Sequence, residues 1–203
     1  SPMLAMMRRP RPLHGFTLIE LMITLAIAVV LLMVAVPSFV SYQKNAELTS
    51  VANTLLAATN AARGEALKRG MNAMVVPTNN GSDWTTGWVV FVDRNNSRTY
   101  TDTGDNTVLT QAAVPAGISI TGSNTATGST PYIMFDASGY SKTKAGGFGA
   151  LSISFVRTDV AAADQYQQTR RIIIASTGRV RMCTPVSATD TNCKATDSQT
   201  TGQ

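Results

Sequence analysis

The sequence predicts an α+β fold in which one long N-terminal helix is followed by short antiparallel strands. Three observations carry this. An unbroken apolar run covers 16–36, apolar residues then recur at spacings of three and four as far as Ala66, and after Gly70 short β-rich runs alternate with turn residues. Of the 203 residues, those beyond the apolar run have the size of one domain.

The apolar run is the first element. Between Phe16 and Val36 the only ionisable side chain is Glu20. As a helix the run would be about 31 Å long, enough to cross the hydrocarbon core of a bilayer. Arg8, Arg9 and Arg11 precede it with no acidic residue among them, the flank that stays cytoplasmic. One membrane pass is expected, with the N-terminus inside and everything after Pro37 outside. A charged side chain at depth in such a helix costs about 3 kcal/mol, so Glu20 calls for a partner. A cut between Gly15 and Phe16 would create an α-amino group four residues before Glu20, a counter-charge on the same chain or on a staggered neighbour. An ordinary signal anchor carrying a stray Glu is the alternative. Ser1-Pro2 reads as an upstream extension or a cloning scar, with Met3, Met6 and Met7 as candidate initiators.

Pro37 follows without ending the helical pattern and is expected to kink one long helix. Leu48, Val51, Leu55, Ala58, Ala62 and Ala66 form an apolar stripe, while Gln43, Lys44, Asn45, Glu47, Asn60 and Arg63 suit a wetted face. The helix should reach Arg69 and stop at Gly70, a natural cap.

Strands are expected at 71–76, 87–93, 107–112, 117–121, 132–135, 151–157, 170–176 and 179–183. Turn chemistry separates them at 79–82, 122–129, 136–139 and 142–149. Trp88 alternates with Val90 and Val92 on one face and leaves Val89 and Phe91 on the other; for Trp84 and Trp88, core packing is the better account than base stacking. The tail 184–203 is polar and expected to be mobile.

Composition limits the chemistry. Removing Arg8, Arg9 and Arg11 with a 15-residue leader takes the seventeen basic residues to fourteen, against twelve acids, for a net charge of +2. The only histidine, His14, would leave with that leader, which removes the commonest general base and the commonest metal ligand. Cys183 and Cys193, the only cysteines, fall in the exported part, where a pair ten positions apart is most simply a disulfide. No metal site is expected, since further soft or imidazole ligands are missing. The Asp93–Ser97 segment superficially offers the alternating oxygens of a calcium loop, but Arg98 stands where the tight-turn Gly belongs and Gly104 where the bidentate Glu would be. An Asn-rich hairpin turn fits better. The segment from Ala145 to Gly149 lacks the Gly-Lys-Ser/Thr of a phosphate cradle. No nucleophile is paired with a recognisable base, so neither an enzyme nor a cofactor is expected.

Charge is concentrated at the C-terminal end. Between Arg170 and Lys194 stand five basic residues (Arg170, Arg171, Arg179, Arg181 and Lys194) against one acid, Asp190. Alternation points Arg179 and Arg181 to one face and Val180 and Met182 to the other. Such a hairpin can grip a phosphate backbone, because guanidinium groups match phosphate oxygens in pairs. A solvated strand edge, charged to prevent aggregation, would look the same.

The N-terminal run Gly15-Phe16-Thr17-Leu18-Ile19-Glu20 resembles the prepilin-peptidase signature of type IV pilins and type II secretion pseudopilins. The resemblance implies removal of the leader 1–15 after Gly15, methylation of the new N-terminal Phe16, and a role for Glu20 in assembly. Ala62-Arg63-Gly64-Glu65-Ala66, running on to Arg69-Gly70, is similar to the helix ending of the FimT/GspH-type minor pilins. Trp84-x-x-Gly87-Trp88-x-x-Phe91-x-Asp93, and Phe135 with Gly139, resemble that family's next strands. Gly178-Arg179-Val180-Arg181 resembles the G-R-x-R motif by which FimT-type minor pilins bind DNA for uptake. Residues 99–128 match nothing in the family pattern.

The resemblance implies a type IV pilin-like fold: leader 1–15, transmembrane and filament-core helix 16–36, globular domain 37–183 with helix to about 70, and tail 184–203 holding the disulfide loop. It implies an inner-membrane protein with a periplasmic domain, later carried in an extracellular pilus at the tip. Its partners would be double-stranded DNA, other major and minor pilins, prepilin peptidase and, before assembly, the inner membrane. Arg179 and Arg181 would be the DNA contacts, with Gly178 shaping the turn and Arg170, Arg171 and Lys194 helping. A minor pilin that primes assembly without touching DNA, and a minor pseudopilin of a type II secretion system, are the rival readings.

Overall fold

The computed structural model describes residues 15–195. The leader basic residues and His14 lie outside these, as do residues 196–203. Helix α1, Leu18–Arg69, passes through two compact units that divide at Val40 and Ser41, with Pro37 inside the helix.

In the first unit the helix is long and apolar enough to cross a membrane, and its side chains are exposed throughout. Its start is capped: Glu20 N donates to Thr17 Oγ1 at 3.3 Å and Leu21 N to Thr17 O at 3.1 Å. The Thr17 hydroxyl thus satisfies one donor that the first turn leaves unpaired, and its carbonyl accepts the first regular helix bond.

In the second unit, Leu48, Val51, Leu55, Ala58, Ala62 and Ala66 are all buried, joined by Ala52 and Thr59. Thr59 is tolerated there because its hydroxyl donates to Leu55 O at 2.8 Å. The helix ends at Gly70, whose N–H still donates to Ala66 O at 2.9 Å while its φ of +64° turns the chain out of the helix.

Eight strands follow: β1 Ala73–Pro77, β2 Trp88–Val92, β3 Asn106–Gln111, β4 Ile118–Gly122, β5 Ile133–Phe135, β6 Leu151–Arg157, β7 Thr169–Ile174 and β8 Val180–Cys183. They form two antiparallel sheets, ordered β3-β2-β1-β5 (sheet one) and β4-β6-β7-β8 (sheet two). One core joins the helix stripe to the inner faces of both, through Val75, Trp88, Val90 and Phe135 of sheet one and Ile120, Ile153, Phe155 and Ile172 of sheet two. Trp84 is in this core too, its indole N–H donating to Ala126 O at 2.9 Å.

Sheet one is also covered on its far side. Met74, Val76, Val89, Phe91 and Met134 pack there with Tyr100 and Tyr132, and the Phe91 and Tyr100 rings lie 5.1 Å apart. That second layer explains why β1 and β2 are apolar without interruption. The Asp93 carboxylate closes the following loop by accepting from Ser97 N and Arg98 N at 3.0 and 2.9 Å, and Asn95 Oδ1 accepts from Ser97 N at 2.9 Å in an Asx-turn.

The tail requires a correction. The segment from Thr184 onward was expected to be mobile, yet as far as residue 195 it is tied to sheet two. Cys193 is bonded to Cys183 and buried, its carbonyl accepts from Arg171, and Ala195 O accepts from Ser152 Oγ. Polar composition suggested mobility, but docking by backbone carbonyls does not depend on which side chains are present.

Candidate nucleic-acid interface

The basic hairpin is the outer strand pair of sheet two. β7 and β8 pair with Arg171 opposite Cys183, Ile172 opposite Met182, Ile173 opposite Arg181 and Ile174 opposite Val180. Ile172 and Ile174 face the core, with Val180 and Met182 packed against it. Arg171, Ile173, Arg181 and Cys183 therefore stand on the opposite, outer face.

The turn between the strands is tight. Ala175 N donates to Arg179 O and Gly178 N to Ala175 O, each at 2.9 Å. Gly178 has φ +82°, and a Cβ there would lie 1.8 Å from Gly139 O and 2.8 Å from Arg63 Nε. Arg63 Nε itself donates to Gly139 O at 3.0 Å. Three motifs far apart in the chain, the Ala62-Arg63 helix ending, the Phe135…Gly139 turn and the Gly178 turn, meet at one point. Only glycine fits there.

The arginines divide between two faces. Arg170 was grouped with Arg171 as a helper, and the structure separates them: Arg170 is on the inner side, where its guanidinium reaches Asn45 Oδ1 of the helix, Gln167 O at 2.8 Å and Thr169 O at 2.9 Å. Consecutive strand residues point to opposite faces, so both cannot serve one surface. Arg170 instead borders a groove along α1 lined by Tyr42, Asn45, Ala46 and Thr49.

On the outer face, Arg171 Nε donates to Ser154 Oγ at 3.1 Å and its Nη1 to Cys193 O. Arg181 Nη2 donates to Asn192 O at 2.6 Å. Both hold the Cys183–Cys193 loop against the sheet. Their hydrogen-bond acceptors are neutral carbonyl and hydroxyl oxygens, and the Asp190 carboxylate acts on Arg171 through space. Burial pushes Arg171 below the usual arginine value, while Asp190 and Tyr166 act the other way; an arginine stays protonated through such shifts. Asp190, the lone acid of the segment, accepts from Val186 N, Asn192 N and Cys193 N at 3.0, 2.9 and 3.2 Å. Those backbone donors, with some help from Arg171, hold its carboxyl below the usual range. Arg179 is exposed, Lys194 half-buried and Gly178 buried.

Two further cations come into view. Ser141 N donates to Ser176 O at 3.1 Å, which brings the 140–149 segment beside the hairpin turn. Lys142 Nζ lies 3.8 Å from the Phe148 ring centroid and 3.8 Å from Asp136 Oδ2. Lys144 Nζ lies 4.7 Å from the Tyr132 ring centroid, and burial pushes its pKa down against the pull of Asp93. Their adjacency to the turn depends on long-range pairing, which neither lysine's neighbours in the sequence announce. Gly15, Phe16 and Glu20 are all exposed, at the far N-terminal end of the described chain. Among the described residues no three His, Cys, Asp or Glu side chains are grouped to hold a metal ion.

The sequence matches the family described as "Type II transport protein GspH" over residues 51–178. It matches the "Prokaryotic N-terminal methylation motif" over residues 12–36. Among solved structures, the type IV minor pilin FimU of Pseudomonas aeruginosa aligns with a TM-score of 0.51 at 16% identity, over 72% of this chain and 98% of that one. The minor pseudopilin EpsH of the type 2 secretion system of Vibrio cholerae aligns with a TM-score of 0.47 at 12% identity, over 70% of this chain and 99% of that one. No curated protein sequence matches the chain. At these identities the likeness to FimU is one of fold.

Proposed function

The chain belongs to the GspH/FimT family of minor pilins and pseudopilins, and on that premise we propose that it is a type IV minor pilin that binds double-stranded DNA for uptake in natural transformation. The observation that carries this reading is the outer face of sheet two, where Arg171 and Arg181 donate to neutral oxygens and Arg179 in the adjoining turn is exposed, an excess of guanidinium groups over the single carboxylate of Asp190. Guanidinium groups on a strand pair favour phosphate contacts. Nothing in the hairpin is shaped to read base edges, so sequence preference is low. Lys194 supplements the contact, and Gly178 acts through the turn rather than by touching DNA.

In this reading residues 1–15 are a leader cut by prepilin peptidase after Gly15, Phe16 is the methylated N-terminus, and Glu20 makes the assembly contact with a neighbouring subunit. The helix 16–36 is held in the inner membrane before assembly and in the filament core afterwards. The globular part is periplasmic first and displayed at the pilus tip later.

The test is a titration of labelled duplex DNA against a soluble fragment beginning near residue 43. Arg179→Ala with Arg181→Ala should retain the fold and lose most binding, and the slope of log affinity against log salt should flatten by about 2. If the double variant binds duplex as wild type does, the hairpin is not the DNA site. A purely structural role, in a pilus or in a secretion machine, would then stand.

A further inference from the structure

Outside both apolar layers, the 140–149 segment displays two aromatic rings. Phe148 is 63% exposed and Tyr140 42%, and their rings meet edge to face at a centroid distance of 5.6 Å. The loop that carries Phe148 is built. Thr143 N donates to Gly147 O, Gly146 N to Thr143 O and Gly149 N to Ser141 O, each at 2.9 Å, and Lys142 pairs with Phe148 across it. The Lys142 ammonium sits over the Phe148 ring. One step along, Lys144 sits over Tyr132, whose hydroxyl accepts from Lys144 N at 2.8 Å. The segment abuts the Ser176–Arg179 turn through the Ser141–Ser176 bond and the Gly139–Gly178 contact.

We propose that Phe148 and Tyr140, flanked by Lys142 and Lys144, form a stacking platform for the bases of single-stranded DNA, continuous with the arginine hairpin. The proposal rests on the DNA-binding reading of that hairpin and extends it from the duplex to unpaired strands. Exposed rings held next to cations are the combination that single-strand binders use: bases stack on the rings and phosphates follow the charges. A duplex keeps its base faces to itself, so the rings add nothing to duplex binding. A protein partner fits less well. A stable protein interface needs on the order of 1,000 Å² with an apolar centre, whereas this patch is two rings bordered by lysines and the Arg179 turn.

The experiment uses the full chain in detergent micelles, with fluorescence anisotropy on labelled oligo-dT and on a duplex of equal length. Phe148→Ala with Tyr140→Ala should weaken oligo-dT binding about tenfold or more and change duplex binding less than twofold. Phe148→Trp should retain oligo-dT affinity and show tryptophan quenching on binding, whereas Phe148→Leu, equally apolar but without a ring, should resemble the alanine variant. Arg179→Ala with Arg181→Ala should weaken both ligands. If the aromatic variants leave oligo-dT affinity unchanged, or lower duplex affinity equally, the platform is overturned while the hairpin reading survives. If wild type binds neither ligand, both readings fall.

Discussion

The two four-stranded sheets use their faces differently. Sheet one is covered on both across β1, β2 and β5, with only the edge strand β3 exposing Thr107 and Thr110: the helix and core lie on one side, and Phe91, Val89, Met74 and Met134 pack under Tyr100 and Tyr132 on the other. Sheet two gives its inner face to the same core, but its outer face carries Ser119, Thr121, Ser152, Ser154, Arg171 and Arg181. A sheet between two apolar layers has no polar row to offer a ligand. Sheet two's outer face is polar instead: Ser152, Ser154 and Ile173 are buried where the disulfide loop docks, and half-buried Arg171 and Arg181 and exposed Thr121 stand beside them. Function is available where the second apolar layer is missing.

The largest effect is expected where the two sheets are joined. Gly178 closes the β7–β8 turn of sheet two, and Gly139 lies in the turn after β5 of sheet one. Gly178→Ala places a methyl 1.8 Å from Gly139 O at a φ of +82°, so one of the two turns must open. A loss of more than about 4 kcal/mol is expected, lowering Tm by at least about 10 °C in a thermal melt. A melt within a few degrees of wild type would mean that the sheets do not depend on this contact. Next come the faces themselves. Phe91 on the far side of sheet one and Phe155 on the inner side of sheet two are both fully buried, so each change to Ala should cost about 3–4 kcal/mol in denaturant unfolding. Thr121→Ala, on the exposed row of sheet two, should stay within about 0.5 kcal/mol. If Phe91→Ala costs as little as Thr121→Ala, sheet one has no second layer and the contrast is lost.

Much of this was legible in the sequence. The helix stripe from Leu48 to Ala66, the Gly70 cap and all eight strand positions follow from local periodicity and turn chemistry. Pairing was not legible, because β1 meets both its neighbour β2 and the distant β5, and nothing local distinguishes one sheet from two. The hairpin is legible in its charges, but charge density does not separate Arg170 from Arg171; strand alternation does, and the register opposite Phe155 then shows that Arg170 is the inward one. The docked loop was missed because its acceptors are the carbonyls of Asn192, Cys193 and Ala195, and every residue has a carbonyl. The Thr17 cap was missed differently: Thr17-x-x-Glu20 is a helix-start pattern, visible in the sequence but overshadowed by the cleavage motif.

A smaller effect should sharpen the comparison at the other end of sheet two, where its inner face meets the helix through charge. Arg157, 4% exposed, donates to both carboxylate oxygens of Asp159 at 2.8 and 2.7 Å and to Glu47 Oε2 at 2.8 Å, while Lys44 Nζ lies 3.2 Å from Asp159. The guanidinium first, and the ammonium after it, hold the Asp159 carboxyl well below the usual carboxylate range. A depressed pKa stabilises the fold above the unfolded value, near ~3.9, and that contribution is lost as pH falls below it. Asp159 is partly exposed, so solvent screening limits the effect, and Asp159→Asn should cost about 1 kcal/mol at pH 7. The gap between wild type and variant in urea unfolding should narrow as pH drops from about 4 towards 2, because wild type then loses the same charge. A gap that stays constant over that range would mean that Asp159 supplies shape rather than charge at this end of sheet two.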